Sequence, residues 1–369
     1  AVRTIEMYKG VVPFISLQIL ALIIVGLNPA LVNYLPTRMS LLSETAPPPA
    51  NPRLQACIEG YVTERFESDG DSLRAAIASA HNWDMTGVPD AVAKTLGGAF
   101  DQADKSFDLL AEANAAKDAV TAAGPAYRPL LEEVRYLERQ IKDATDGLKI
   151  TKRDLDRAKR NTPDDVAGIQ ALERRLASLT EEKKRLESAV PSEWKTQNQA
   201  FKKLLSAEKR GFLTYRRTVD AAYEPVVKFQ RILTGGDQLT ALRPELDALA
   251  SRMTSDDPAA LTDSLKAIES SIGEVEEASA IRSALSKARR DLRTSNGKQP
   301  DRAAAAEKLA AALQLLDQEV SWRTAAAQRL LPQVESYRSA ISDTIGLRQQ
   351  PRLPKEIALY VAGCNANHR

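Results

Sequence analysis

One uninterrupted apolar stretch near the beginning of the chain constrains its fold more than any other feature. Between Lys9 and Arg38 the sequence GVVPFISLQILALIIVGLNPALVNYLPT contains no Asp, Glu, Lys, Arg or His. As a helix, Val11 to Val32 would be about 33 Å long at about 1.5 Å per residue, which is enough to cross a hydrocarbon core of about 30 Å. Pro13 and Pro29 lie near its ends, where membrane helices tolerate proline. The stretch predicts a transmembrane helix.

Two other interpretations of this stretch are less favoured. The apolar runs of buried core helices are usually about 10 to 14 residues long. The apolar region of a cleavable signal peptide is about 7 to 15 residues and ends in small residues. Here the run is longer than both and continues into Asn33, Tyr34 and Pro36. We therefore expect a segment that is retained in the mature protein.

The composition of the chain indicates an all-α fold. Aromatic residues make up 5% and charged residues 27% of the 369 residues, which is typical of long helices and coiled coils rather than of sheets. The 51 basic and 49 acidic residues are interleaved in runs such as EEKKRLE and KRDLDRAKR. Interleaved charge indicates solvated helix faces and lacks the one-sign stripe that nucleic acid requires. We expect a transmembrane helix followed by a soluble, coiled-coil-rich bundle that binds no nucleic acid.

Breaks in the pattern divide the chain into five predicted regions. Residues 1–38 form the membrane segment, and residues 39–53 form a linker rich in proline, which favours extended backbone. Residues 54–128 are interrupted by ESDGDS, MTGVPD and LGG and predict short helices joined by turns. A small aromatic core is expected there, formed by Phe66, Trp83, Phe100 and Phe107. Residues 129–350 form a long helical region, and residues 351–369 form a tail.

Two apolar seams within the long helical region predict a helical hairpin. Thr162 and Pro163 separate them as a helix N-cap and first residue. Because each seam has the three- and four-residue steps of a heptad repeat, the two helices should pack antiparallel. The first seam consists of Leu130, Val134, Leu137, Ile141, Ala144, Leu148 and Leu155, and the second of Ile169, Leu172, Leu176, Leu179, Leu186 and Val190.

Three more helices are predicted after this hairpin. The first follows the sequence VPSEW and should stop at the glycine pair Gly235 and Gly236. The second should run from Pro258 to about Arg293, and the third from about Pro300 to Gly346. Apolar residues at helical spacing mark the second, namely Leu261, Leu265, Ile268, Ile272, Val275 and Ile281.

The sequence gives no support for an enzyme. His81 and His368 are its two histidines, and His81 lies beside Trp83 in an amphipathic stretch, where a packed or solvated histidine is expected rather than a metal ligand. Common zinc, phosphate-loop and serine-hydrolase motifs do not occur. Catalytic, substrate-binding and metal-binding residues are therefore predicted to be absent, as are cofactors.

The apolar stretch with its flanks, MYKGVVPFISLQILALIIVGLNPALVNYLP, resembles the closing segment of the large membrane subunit of tripartite ATP-independent periplasmic (TRAP) transporters. The likeness covers about the first 40 residues. Asn28 departs from it, because an aromatic residue is commoner there, and family members end soon after this motif. The residues that carry the resemblance are Tyr8, Lys9, Gly10, Pro13, Phe14, Pro29, Leu35 and Pro36.

This resemblance implies a sodium-coupled permease that takes up organic acids or similar small solutes. The family's substrate and sodium sites lie in other membrane segments, so no family site is carried over to this chain. Because the chain begins at Ala1 without Met, we expect a C-terminal piece of a longer permease. Its partners would be the membrane and other transporter subunits or a periplasmic solute-binding protein. The alternative is a single-span, membrane-anchored coiled-coil scaffold of the cell envelope that takes no part in transport.

The flanking charges and the cysteines bear on which side of the membrane the helices lie. Arg3 and Lys9 precede the apolar stretch and Arg38 follows it, which favours a cytoplasmic N-terminal side. The resemblance implies the same orientation, in a bacterial inner membrane with the helical extension in the periplasm. In that oxidising compartment Cys57 and Cys364 could close a disulfide between the first and last helices of a bundle. Two free thiols are the alternative.

Overall fold

The computed structural model describes residues 4–27, 29–46, 51–293 and 299–367. Among these residues all regular secondary structure is helical, which confirms the predicted all-α fold. A short 3-10 turn, Leu347–Gln349, precedes the last helix. The α-helices are α1 Thr4–Leu27, α2 Pro29–Leu42, α3 Pro52–His81, α4 Asp90–Asn161, α5 Val166–Ala189, α6 Trp194–Arg252, α7 Pro258–Gly273, α8 Ser279–Asp291, α9 Arg302–Ser342 and α10 Lys355–Asn367.

The predicted membrane segment forms α1 and most of α2. Every side chain from Val11 to Leu27 is exposed. Among the residues that the structure describes, no helix combines the length and the apolar character needed to cross a membrane. The transmembrane helix predicted within residues 1–38 thus has no support from this finding.

The chain divides into two compact units. The first consists of Ala1–Asp108 and Arg216–Arg369, and the second of Leu109–Tyr215. The division falls within α4 and within α6, so each of these helices contributes to both units.

The second unit is an antiparallel helical hairpin. Lys159 Nζ near the end of α4 lies 2.7 Å from Glu173 Oε1 near the start of α5. Further back along α4, Gly147 faces Leu179. As residue numbers fall along α4 they rise along its partner, which confirms the predicted antiparallel packing. The seam residues are less exposed than their neighbours. The N-cap of α5 differs from the prediction: it is Asp165 and not Thr162, and the Asp165 side chain accepts a hydrogen bond from the backbone N–H of Gly168 at 2.9 Å.

Long helices occupy the region for which short helices were predicted. α3 continues through ESDGDS and α4 continues through LGG. A helical glycine costs only about 1 kcal/mol relative to alanine, and burial of the apolar face on both sides of it outweighs this cost. In α3 that face includes Val62 before Gly70 and Leu73 and Ile77 after it.

The single helix predicted from Pro258 to Arg293 is two helices in the structure. α7 ends at Gly273, and Glu277 has a left-handed φ of 58° in the connection to α8. This turn folds α8 back so that its apolar face shares a core with α7, α6 and α9. All six apolar residues that were used to predict the single helix are buried, namely Leu261, Leu265, Ile268, Ile272, Val275 and Ile281.

The predicted linker and tail are both shorter than expected. α2 extends to Leu42 and α3 begins at Pro52, so much of residues 39–53 is helical, while Pro47, Pro48 and Pro49 lie outside the described residues. Most of the predicted tail, residues 351–369, forms α10. Helix α10 has a continuous buried face that the sequence analysis did not identify, formed by Ile357, Ala358, Val361 and Ala362.

Candidate functional site

A disulfide joins the beginning of the helical body to the end of the chain. Cys57 in α3 and Cys364 in α10 are bonded, with their Cα atoms 5.8 Å apart and a sequence separation of 307. The structure thus brings together the two cysteines that the sequence analysis selected. Cys57 is 1% exposed, so the end of the bond on α3 is buried, while Cys364 on α10 is half-buried.

A tyrosine on α10 adds a second link to α3. Tyr360 donates a hydrogen bond from its hydroxyl to Glu64 Oε1 at 2.7 Å, and its ring meets the edge of the Tyr61 ring at 5.3 Å between centroids. Burial, assisted by the bond to Glu64, raises the pKa of Tyr360 to about 12. The neutral phenol is therefore the form that holds α10 against α3.

Two polar side chains tie the end of the chain to α2. Asn365 donates from Nδ2 to Thr37 Oγ1 at 3.2 Å, and Arg352 donates from Nη2 to the carbonyl of Leu42 at 2.7 Å. Leu41, which lies between Thr37 and Leu42 in the sequence, is only 5% exposed. α2, α3 and α10 therefore form one packed group, which we call the base, consisting of residues 37–42, 52–64 and 355–365.

A buried ion pair attaches the base to α6. Glu59 is only 3% exposed, and its carboxylate accepts a hydrogen bond from Arg216 Nε. Nearby, Arg348 pairs with Asp220 at 3.4 Å and also donates to Gln55. Because the buried charge is paired and hydrogen-bonded, it is compatible with a structural role.

The residues that carry the family resemblance extend along α1 and α2 instead of meeting at one point. Tyr8 and Gly10 are in α1, and the Tyr8 side chain lies outside the described part of the structure. Pro13 and Phe14 are exposed on α1. Pro29 begins α2, and Leu35 and Pro36 are exposed farther along it. Those whose side chains the structure describes mark a segment and are not gathered into one site.

His81 is exposed and hydrogen-bonded, which agrees with the solvated rather than the packed one of its two predicted alternatives. Its Nε2 lies 3.0 Å from Asp104 Oδ2, and its ring meets Phe100 edge-on at 5.5 Å between centroids. Phe100 also packs against Trp83 and Tyr337 at near-perpendicular angles. His368 lies outside the described residues.

The predicted aromatic core therefore exists as two clusters. Phe66 stacks on Phe107 at 4.2 Å, separately from the cluster that contains Trp83 and Phe100. The second cluster also includes Tyr337 from α9, whose pKa is raised by burial. Tyr337 was not predicted to belong to this core, because it is distant in sequence and no local pattern connects it to the others.

A cavity of about 280 Å³ lies between the start of α4 and the middle of α6. Its walls are mainly apolar, and Lys228 at its rim is paired with Glu277. Within the described residues no three His, Cys, Asp or Glu side chains are grouped so that they could hold a metal ion. The cavity is lined by Ala91, Val92, Thr95, Leu96, Glu224, Pro225, Lys228, Phe229, Ile232 and Glu277.

Comparison of the chain with protein-family models, with curated proteins and with solved structures finds no match.

Proposed function

We propose that this chain is a membrane-anchored helical interaction module. In this proposal α1 crosses the membrane, and the helices that follow form a docking body held to it by the base. The observation that supports the proposal is the exposure of every side chain from Val11 to Leu27. A large apolar side chain left in water forgoes about 1.5 to 3 kcal/mol of burial. So many exposed apolar side chains on one helix favour an apolar environment around α1, such as the lipid of a membrane.

The length of α1 is compatible with a membrane span when its flanks are included. Residues 11–27, whose side chains the structure describes, would cover about 26 Å at about 1.5 Å per residue, somewhat less than a core of about 30 Å. α1 begins earlier, at Thr4, and the apolar sequence continues through Ala30, Leu31 and Val32 in α2. In this proposal the missing turn comes from the C-terminal side, because the residues before Val11 include Glu6 and Lys9.

The disulfide supports a location of the docking body outside the cytoplasm. Disulfides persist in oxidising compartments and are rare in reducing ones. The bond between Cys57 and Cys364 lies after α1 in the sequence, so the body and the N-terminal side of α1 would be on opposite sides of the membrane. Arg3 and Lys9, which precede the apolar stretch, favour the same orientation. In a bacterium the body would then be in the periplasm.

The resemblance to TRAP permeases gives this proposal its more specific form. α1 would then be the last membrane helix of a large permease subunit, and the body would recruit a periplasmic solute-binding protein or another transporter subunit. The transported organic acid would be handled by other parts of that permease. The role of this chain would be docking, without catalysis or a cofactor of its own.

A single-span scaffold of the cell envelope is the second candidate. One observation favours it: the base is closed by contacts within this chain, between Asn365 and Thr37 and between Cys364 and Cys57. The described body is therefore joined to α2 without help from other membrane segments. The two candidates differ in whether loss of the body changes solute uptake.

Membrane insertion can be tested by placing charge on α1. Leu20→Arg with Ile23→Arg should release the full chain from membranes during alkaline extraction, because each central arginine opposes insertion by about 2.5 to 3.5 kcal/mol. Leu205→Arg is the matched control, since Leu205 is also an exposed apolar residue, at 43%, but lies on α6. The wild-type and Leu205→Arg chains should stay in the membrane. Release of the wild-type chain would refute the proposed anchor.

Docking can be tested by removing the body. A chain that ends before Leu54 should remain in the membrane but capture fewer envelope proteins after cross-linking than the full chain. If organic-acid uptake also falls, the permease form of the proposal is supported. If uptake is unchanged while partners are lost, the scaffold form is supported. Identical partner sets for both chains would show that the body has no docking role.

A further inference from the structure

The cavity between α4 and α6 has a largely apolar wall with room for a small molecule. Its volume is about 280 Å³, and three of its lining residues, Leu96, Phe229 and Ile232, are each at most 2% exposed. An apolar cavity of about 150 Å³ is large enough to bind benzene, so this one has room for about ten non-hydrogen atoms. All residues that line it belong to the first unit.

Three charged side chains also line this cavity. Glu224 and Lys228 lie one turn apart on α6, and Glu277 lies in the connection between α7 and α8. Lys228 Nζ donates to Glu277 and lies 3.9 Å from Glu276. The hydrogen bond to Glu277 raises the pKa of Lys228, and Glu276 and Glu224 add to this effect. The lysine is therefore charged at neutral pH and is already engaged by carboxylates.

The charged groups of the cavity have an excess of negative charge. Two carboxylates, Glu224 and Glu277, line it together with one cation, Lys228. Glu276 just outside the lining is offset by Arg231, 3.6 Å away. Glu224 is exposed and makes no hydrogen bond or ion pair within the described residues. Charge complementarity therefore favours a ligand whose polar end is cationic.

The backbone of Glu277 supports a binding role for its carboxylate. Its φ of 58° is left-handed, a conformation that is unfavourable for residues with a β-carbon and that is concentrated at ligand-binding and switch regions. Glycine would adopt this φ without strain. The chain has glutamate there instead, and the carboxylate lies at the cavity beside Lys228.

We propose that the cavity binds a small amphipathic cation, namely a primary ammonium with an apolar tail of about eight carbons. The ammonium would donate to Glu224 and to the carboxylate oxygen of Glu277 that Lys228 leaves free. An ammonium has three N–H donors and no acceptor, so carboxylates are its natural partners. The tail would lie against the buried apolar side chains. This binding does not depend on the membrane span and goes beyond the proposed docking function.

Three test compounds of similar size separate the effects of charge and apolar surface. They are phenethylammonium, its neutral isostere phenethyl alcohol, and the anion hydrocinnamate. In calorimetric titrations of the full chain the ammonium should bind most tightly and the alcohol about tenfold more weakly, because charge-assisted hydrogen bonds are stronger than neutral ones. Hydrocinnamate should not bind measurably. Either the alcohol or the anion binding as tightly as the ammonium would refute the proposal.

Variants of the charged residues test which groups hold the ammonium. Glu224→Gln should weaken phenethylammonium binding about fivefold, a modest effect because the carboxylate is exposed. Glu245→Gln is the matched control, since Glu245 is also exposed on α6 but does not line the cavity, and it should bind like the wild type. Lys228→Met removes a competing cation and should strengthen binding about threefold. Loss of binding in Lys228→Met would contradict the proposal, because the lysine would then hold the ligand.

Variants that fill the cavity test whether the compound binds there. Ala91→Trp and Thr95→Trp add bulk at two exposed positions of the lining and should abolish binding. Ala122→Trp adds the same side chain at an exposed position of α4 outside the cavity and should bind like the wild type. Circular dichroism checks that all three chains remain helical, and uptake of the compound by lipid or detergent is measured without protein and subtracted. Undiminished binding in the two filled chains, or no binding to the wild type, would overturn the proposal.

Discussion

Gly235 on α6 lies directly against Arg323 on α9: a β-carbon on Gly235 would stand 3.2 Å from Arg323 Nη1. Arg323 is fully buried, and it donates from Nε to Glu319 at 2.9 Å and from Nη1 to the carbonyl of Ile232 at 3.3 Å. The adjacent Gly236 gives the same clearance, since its β-carbon would stand 3.3 Å from Arg323 Cβ. The glycine pair is therefore the surface on which the buried side chain of Arg323 packs, with its guanidinium against Gly235.

We expect Gly235→Ala to destabilise the first unit by about 1 to 2 kcal/mol. The added methyl group would stand 3.0 Å from Val275 Cγ1 as well as near Arg323, and overpacking a core costs about 1 to 3 kcal/mol. The gain in helix propensity, about 1 kcal/mol, offsets only part of this. Denaturant unfolding followed by circular dichroism measures the difference.

Gly98→Ala is the matched control for this prediction. Gly98 is also within a long helix, α4, but a β-carbon there meets nothing within 4 Å. We expect it to stabilise the protein by up to about 1 kcal/mol through helix propensity. Equal stabilisation of both variants would contradict the close packing of Gly235 against α9.

The glycine pair also shows where sequence patterns were insufficient. Two adjacent glycines predict a helix end when only neighbouring residues are considered, yet α6 continues through them to Arg252. The deciding contact comes from Arg323, which is far away in sequence. Glycine in a helix can therefore mark a close approach of another element, and local sequence does not distinguish this from a helix end.

Periodic seams were the most dependable part of the sequence analysis. Leu172 and Leu176 mark the inner face of α5, and Leu261 and Leu265 mark that of α7. The predicted helix boundaries were less dependable, because an N-cap depends on which side-chain oxygen reaches a free backbone N–H in the first turn. Asp165, and not Thr162, supplies the cap of α5. The helix α10 was missed because its apolar run is short and follows prolines.

We expect reduction of the disulfide to destabilise the base. Breaking a link between residues 307 apart returns loop entropy to the unfolded chain, which amounts to up to about 5 kcal/mol in the chain-entropy description. Thermal unfolding with and without dithiothreitol measures the loss. The double variant Cys57→Ala and Cys364→Ala should resemble the reduced protein and should not respond to dithiothreitol. Equal transitions for the oxidised and reduced wild type would contradict this expectation.

Arg216→Ala should be among the most destabilising single substitutions in the first unit. It would leave the carboxylate of Glu59, which is 3% exposed, without its cationic partner. Removing one member of a buried ion pair lowers the free energy of unfolding by about 3 to 5 kcal/mol. Because Arg216 is partly exposed, we expect a loss at the lower end of this range. Adding Glu59→Gln removes the unpaired charge and should recover part of the loss. A double-mutant cycle showing no coupling would contradict the assigned pair.

Alkaline pH should loosen the contact between α10 and α3. The folded protein raises the pKa of Tyr360 from 10.0 to about 12, mainly by burial. A group with a raised folded pKa contributes its stability below the unfolded pKa and loses it as pH rises through the folded one. Stability should therefore fall between about pH 10 and 12, and ultraviolet absorbance of tyrosinate should follow. Tyr360→Phe should reduce this fall, whereas Tyr136→Phe, at an exposed position on α4, should not.

The double change Leu172→Asp and Leu176→Asp should unfold the hairpin of the second unit. Both leucines are half-buried on the inner face of α5, and burial of each contributes up to about 1.5 to 3 kcal/mol. Aspartate would also place charge within the seam. Helical circular dichroism should fall, while the first unit stays resistant to proteolysis because its disulfide and core are untouched. Ala171→Asp with Ser178→Asp adds the same charge at exposed positions of α5 and should leave the hairpin folded. An unchanged thermal transition in the leucine variant would show that these residues do not form the seam.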